Sequence, residues 1–153
     1  MSAPYTEDHA KSGLDAPLPE IETWPNQFGA YEIEISLPEF TSVCPKTALP
    51  DHGNIILTYT PDKLCLELKS LKMYMLAYRN LGIFQENVVN RFLNDVVKAA
   101  QPVQAKVVGD FTPRGGVFSK VTASTAPKIA TNHFARIGKT IIKYTMRSPK
   151  IIP

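Results

Sequence analysis

Cys44 stands directly before Pro45, with Lys46 two residues on. A following proline biases a residue toward extended backbone, and a nearby ammonium favours a thiolate. An unperturbed thiol, with a pKa of about 8.5, is only a few per cent ionised at neutral pH, so a cysteine that attacks carbon needs such help. Taken alone, Cys44 is equally well read as a small apolar residue near a strand end. Lys69 and Lys72 lie three apart at an expected helix start and share a face, a spacing that suits phosphates as well as a solvated surface. Glu86 sits near a second helix start, where a carboxylate is favoured by the helix dipole. His9, His52 and His133 fall into no ligand spacing, which argues against a catalytic zinc. No glycine-rich fingerprint follows a strand, so any dinucleotide site here is not of the Rossmann type.

Holding these residues requires a framework, and the hydrophobic pattern supplies one. Tyr31, Ile33, Ile35 and Leu37 alternate with Glu32, Glu34 and Ser36, the pattern of a half-buried strand. Pro38, Pro45 and Pro50 then predict a loop holding Cys44 and Asp51, and residues 54–60 a second strand that ends at Pro61-Asp62. Cys65, alternating with Leu64, Leu66 and Leu68, reads as a packed strand residue. Ser70 is the expected N-cap of a helix through Tyr78, with Leu71, Tyr74 and Met75 on its inner side and Gly82 near its end. Val88, Val89, Phe92, Leu93, Val96, Val97 and Ala100 mark one face of a second helix stopped by Pro102. Residues 103–112 and 117–125 are rich in β-branched side chains and flank Pro113-Arg114-Gly115-Gly116, so they form a hairpin-like pair. The order is ββααββ, which predicts an α+β fold: an antiparallel sheet with both helices on one face.

At 153 residues and 44% hydrophobic content the chain amounts to one domain. Three segments are expected: an irregular acidic, proline-containing arm over 1–27, a catalytic domain over 28–125, and a basic extension over 126–153. Residues 1–40 carry eight carboxylates and one lysine, whereas 111–153 carry eight Lys or Arg and no carboxylate. Such a dipole suits two ends that meet across a subunit interface. The basic residues lack the density and stacking aromatics of a nucleic-acid platform. Two cysteines, no signal-peptide pattern and no apolar run of the ~20 residues needed to span a bilayer point to the cytoplasm and not to a membrane.

Two stretches carry a resemblance. Phe40-Thr41-Ser42-Val43-Cys44-Pro45-Lys46-Thr47 and Glu67-Leu68-Lys69-Ser70-Leu71-Lys72-Met73-Tyr74 occur in order, followed by Phe84-Gln85-Glu86-Asn87 and Phe111-Thr112-Pro113-Arg114-Gly115-Gly116. Together they resemble the signature of the QueF family, the NADPH-dependent 7-cyano-7-deazaguanine reductases, over about Thr23 to Val121. The resemblance implies the tunnelling fold shared with GTP cyclohydrolases, whose subunits close into rings with active sites between neighbours. It implies that Cys44 attacks the nitrile carbon to give a covalent thioimide, which two NADPH hydrides reduce to the primary amine. Asp51 matches the family's proton donor. Glu86 suits the pyrimidinone edge of the substrate, because an ionised carboxylate can accept two adjacent N–H groups, and Leu66, Glu67 and Leu68 correspond to a further substrate-contacting stretch. Lys69 and Lys72 are the implied contacts to cofactor phosphates, with Arg114 as a third.

Three positions depart from the family pattern: Gln85 where histidine is frequent, Ala48 where many members have glycine, and His52 where many have phenylalanine. The resemblance implies that Gln85, like Glu86, contacts the substrate; its amide can hydrogen-bond there but cannot shuttle protons near neutral pH. His52 adjoins the expected proton donor. Two other readings therefore stay open beside the reductase: an amidinotransferase of the QueF-like group acting on tRNA, and a deazapurine-binding module without activity.

Overall fold

The computed structural model describes residues 4–29 and 31–125. In chain order its elements are helix α1 (Glu7–Lys11), strands β1 (Thr23–Pro25), β2 (Ile33–Val43), β3 (Pro50–Thr60) and β4 (Leu64–Leu66), helix α2 (Leu68–Leu76) running into a 3-10 turn (Ala77–Asn80), helix α3 (Gln85–Ala100), and strands β5 (Gln104–Phe111) and β6 (Lys120–Ser124). Four strands form one antiparallel sheet in the order β2-β3-β5-β6. Helices α2 and α3 cover one of its faces. The α+β class and the ββααββ order hold, with a short antiparallel pair, β1 and β4, added beside them.

Burial follows side-chain period. Ile55, Leu57 and Tyr59 of β3 are buried under the helices while Ile56, Thr58 and Thr60 between them stay half-buried. Helix α3 buries Val88, Val89, Phe92, Leu93, Val96 and Ala100. At about 1.5–3 kcal/mol for each fully buried Val, Leu or Phe, this stripe exceeds any difference in helix propensity, which is at most ~0.7 kcal/mol per ordinary residue. The stripe therefore fixes α3 against the sheet. Gln101, at φ 46°, turns the chain out of the helix just before Pro102.

The structure corrects the expected loop between Pro38 and Pro50. Strand β2 runs on through Pro38 to Val43, and β3 begins at Pro50, so Asp51 is a strand residue. Both prolines sit where a strand tolerates them: β2 is an edge strand of its sheet, and Pro50 is the first residue of β3. Leu37 pairs with Ile55 but Phe40 pairs with Gly53, so two residues of β2 oppose one of β3 in a β-bulge. Ahead of the bulge Ile33, Ile35 and Leu37 pack against the core; beyond it the buried residues are Phe40 and Ser42.

Two further expectations are revised. Helix α2 is capped by Glu67 and not by Ser70: the carboxylate accepts the amides of Lys69 (2.9 Å) and Ser70 (2.6 Å). A carboxylate can satisfy two of the unpaired N–H groups of a first turn at once, and Ser70 sits inside that turn, its hydroxyl donating back to the Glu67 carbonyl at 2.9 Å. The arm over 1–27 is also less irregular than its prolines suggest. Thr6 and His9 form a capping box at the start of α1, and β1 pairs Thr23, Trp24 and Pro25 with Leu66, Cys65 and Leu64. The segment between them is tied to α3 by Arg91, whose guanidinium donates to the carbonyls of Gly13 and Ala16. The extension 126–153 lies outside the described residues. No helix among the described residues is long and apolar enough to cross a membrane.

Candidate active site

Three connections converge on one end of the sheet. The backbone of Val43, at the end of β2, bonds to Leu81 (3.0 Å) and Ile83 (2.9 Å), which fixes the entrance of α3, with Phe84, Gln85 and Glu86, beside Cys44. Pairing of Gly53 with Phe111, extended by the amide of Thr112 to the carbonyl of His52 (2.8 Å), brings the β5–β6 connection next to Asp51. That connection reverses at Gly115 and Gly116, at φ 61° and 81°, between the paired residues Arg114 and Val117. A two-residue turn with both residues at positive φ strongly favours glycine, and it leaves Arg114 at the site.

The result is a cavity of ≈ 330 Å³ whose walls include Cys44, Asp51, Gln85, Glu86 and Arg114. Asp51 is 5% exposed. Its Oδ1 accepts from Arg114 Nη1 at 2.9 Å and from Gln85 Nε2 at 3.2 Å. Both contacts fall on the same oxygen. Gln85 is held in turn by the Ser119 hydroxyl, which donates to its Oε1. Glu86 lies exposed in the first turn of α3.

Cys44 is 4% exposed and begins a tight turn closed by the Ala48 amide on the Cys44 carbonyl at 2.9 Å. Burial pushes its thiol up, but hydrogen bonds from the Thr47 side chain, from the backbone of Thr47 and Lys46, and from the Arg114 side chain outweigh it. The thiol is held below its ordinary value, as expected of a nucleophile. Arg114 is thus a partner of both the thiol and the carboxylate.

The remaining expected site residues lie away from this cavity. Leu66 is buried, Glu67 is engaged as the cap of α2 with its carboxyl held low by the amides of Lys69 and Ser70, and Leu68, Lys69 and Lys72 are exposed on α2. None of these five borders the cavity in a single subunit. His52 is exposed, unlike Asp51 beside it, and its Nδ1 lies 3.4 Å from Thr41 Oγ1, so strand alternation turns it to the opposite side from Asp51. Cys65 is buried near the Tyr31 hydroxyl, 3.3 Å away, as a packed strand residue should be. Sequence reasoning missed Tyr5, Phe84, Thr112, Val117, Phe118 and Ser119, which complete the walls. Phe84 and Thr112 lie inside the quoted motifs and Val117 follows Gly116, whereas Tyr5, Phe118 and Ser119 carry no such signal in the sequence.

A family model described as QueF-like protein matches residues 50–129. The NADPH-dependent 7-cyano-7-deazaguanine reductase of Elusimicrobium minutum is 60% identical over 125 residues, covering 81% of this chain and 95% of that one. The chain belongs to the QueF family. A second relative, the protein of the same name from Chloroherpeton thalassium, is 57% identical over 106 residues, 68% of this chain and 91% of its own length. Among solved structures, the archaeosine synthase QueF-Like in the apo form superposes with a TM-score of 0.57 at 23% identity, over 65% of this chain and 96% of that one. At that identity the likeness concerns the fold, and the tunnelling fold expected of a QueF protein is the fold of this chain.

Proposed function

We propose that this chain is an NADPH-dependent nitrile reductase that converts 7-cyano-7-deazaguanine to 7-aminomethyl-7-deazaguanine, in the biosynthesis of a modified tRNA base. The observation that carries the reading is the convergence, around one cavity, of a thiol held below its ordinary value with two carboxylates, Asp51 and Glu86, in a chain 60% identical to a reductase of that name.

Each residue has a task in that chemistry. A bare nitrile is a poor hydride acceptor, whereas a carbon bound to sulfur and held in place is activated. The Cys44 thiolate forms a bond to the nitrile carbon, one π bond of the C≡N group opens, and Asp51 delivers the proton to nitrogen, giving a thioimide. Glu86 accepts the adjacent N–H donors of the pyrimidinone edge and so orients the ring. Arg114 holds Asp51 in place and supports the thiolate. When bound, NADPH would supply two hydrides, and the C–S bond to Cys44 would break between them, so that the carbon leaves as the amine and the thiolate is restored. Lys69 and Lys72, exposed at the start of α2, suit its phosphates. Because they and the 66–68 stretch stand clear of the Cys44 cavity of their own chain, we assign them to the cavity of a neighbouring subunit in a ring-shaped homo-oligomer. Two free thiols suit a reducing cytoplasm.

The test mixes protein, nitrile and NADPH and follows absorbance of the reduced cofactor, with intact-protein mass spectrometry of the cofactor-free mixture. Cofactor oxidation together with an adduct on Cys44 is expected, and Cys44→Ala should lose both. An adduct that survives in Cys44→Ala overturns the mechanism, and adduct formation without cofactor oxidation favours the amidinotransferase reading.

A further inference from the structure

We propose that Tyr5 forms a wall of the substrate pocket and stacks on the planar heterocycle of the nitrile, with helix α1 as the strap that holds it there. The proposal deepens the reading above and takes the identity of the ligand from it. Tyr5 borders the same cavity as Cys44 and Asp51 although it comes from the far N-terminal part of the chain. Its ring packs on Phe84, with centroids 5.7 Å apart and planes at 46°, immediately before Gln85 and Glu86. Lys46 Nζ lies 3.9 Å from the centroid of the same ring, so the cysteine turn touches Tyr5 as well. The ring nonetheless remains 63% exposed.

The way α1 is anchored points in the same direction. A helix of five residues does not persist by itself, and α1 buries no residue, so the core does not explain it. What holds it are polar tethers to α3 and to the segment leading into it. Asn87 Nδ2 donates to the Ala10 carbonyl at 2.7 Å, and the Ser12 hydroxyl donates to the Gly82 carbonyl at 2.6 Å. Both tethers tie the arm to the structure that presents Glu86. They fix the position of Tyr5 relative to the substrate-binding carboxylate.

The ligand supplies the complement. A deazaguanine offers an N–H edge for Glu86, an electrophilic carbon for Cys44 and two flat π faces. Tyr5, Phe84 and Phe118 are the aromatic rings that line the cavity with those groups, and Tyr5 is the one seated against both Phe84 and the cysteine turn; stacking on an aromatic side chain adds about tenfold or more in affinity per ring.

The experiment compares wild type, Tyr5→Ala and Tyr5→Phe. Nitrile is titrated without NADPH while the adduct is followed by mass spectrometry, steady-state kinetics are measured for both substrates, and calorimetry measures binding of 7-deazaguanine, which lacks the nitrile. Tyr5→Ala should raise the half-saturating concentration of nitrile and of 7-deazaguanine about tenfold. Its kcat, its KM for NADPH and its thermal midpoint should stay unchanged, and Tyr5→Phe should match wild type. Unchanged ligand affinity in Tyr5→Ala overturns the proposal. So does an equal loss in Tyr5→Phe, which would give the role to the hydroxyl, or a wild-type chain that binds neither compound. A wild-type chain that binds 7-deazaguanine through Tyr5 but oxidises no NADPH would refute the reductase reading alone.

Discussion

Two residues of the turn after Cys44 invite measurement. Thr47 contributes hydrogen bonds that hold the thiol low, so the reactive thiolate should persist below the ordinary range of about 8.5 and be lost as the pH falls through its depressed value. In Thr47→Val the pH profile of Cys44 alkylation by iodoacetamide, read by mass spectrometry, should move upward; an unmoved profile would leave the backbone amides and Arg114 as the whole cause. Ala48, at φ 54°, occupies the left-handed region that costs an L-residue about 1–2 kcal/mol. Ala48→Gly removes that cost and adds some chain entropy to the unfolded state, for a net gain of about 0.5–1 kcal/mol in a urea titration. The resemblance noted glycine at this position in many relatives, and the backbone supplies the reason. Cys44, Asp51, Gln85, Glu86 and Arg114 were legible because each belongs to a local motif that folds as a unit. Thr47 was not, since its effect depends on a turn geometry that the loop prolines did not specify. Gln85, expected to contact substrate without an acid-base role, also holds Asp51 in place.

At the scale of elements, α3 and the first half of β2 were readable because one face of each is buried by a period that sequence displays directly. The β1–β4 pair and α1 were not, because their stability comes from contacts with distant partners. For α2, the cap itself is testable. The folded-state value of the Glu67 carboxyl is lowered, by the amides of Lys69 and Ser70 first. Its contribution is therefore complete above the unfolded value of about 4.3 and is lost as pH falls through the lowered folded value. Glu67→Gln should be less stable than wild type at neutral pH, and the difference should shrink on acidification below that unfolded value. Urea midpoints across pH 3–7 (roughly the carboxylate range) would show it. A difference that stays constant with pH would mean that the charge of the cap is immaterial.

For the whole molecule, the sheet formed by the described residues has β2 and β6 at its edges. Open strand edges are normally covered, and the opposite charges of the N-terminal and C-terminal segments of the sequence are of the kind that would favour a neighbouring copy. Activity is expected to fall on dilution and in high salt, together with the mass measured by light scattering. Full activity in a monomer at assay concentration would require Lys69 and Lys72 to serve a site in their own chain. The proposed ring is not legible in the residues alone, because nothing in a single sequence specifies which edge would meet which.

The bulge at Leu37 and Phe40 makes strand length a determinant of chemistry. Side chains in a strand obey parity, and one supernumerary residue inverts it. Removing Glu39 would restore an uninterrupted ladder with Gly53 and Ile55, and the sheet would lose a flaw. The sequence changes parity at the same place, from Ile33, Ile35 and Leu37 to Phe40 and Ser42, so this deletion would keep both sets on the inner face, whereas the same deletion in a strand without that change would turn one half to solvent. The Cys44 sulfur is thus addressed by counting: the extra residue in the ladder and the parity change in the sequence cancel, and one further residue inserted between Phe40 and Cys44 would break that match.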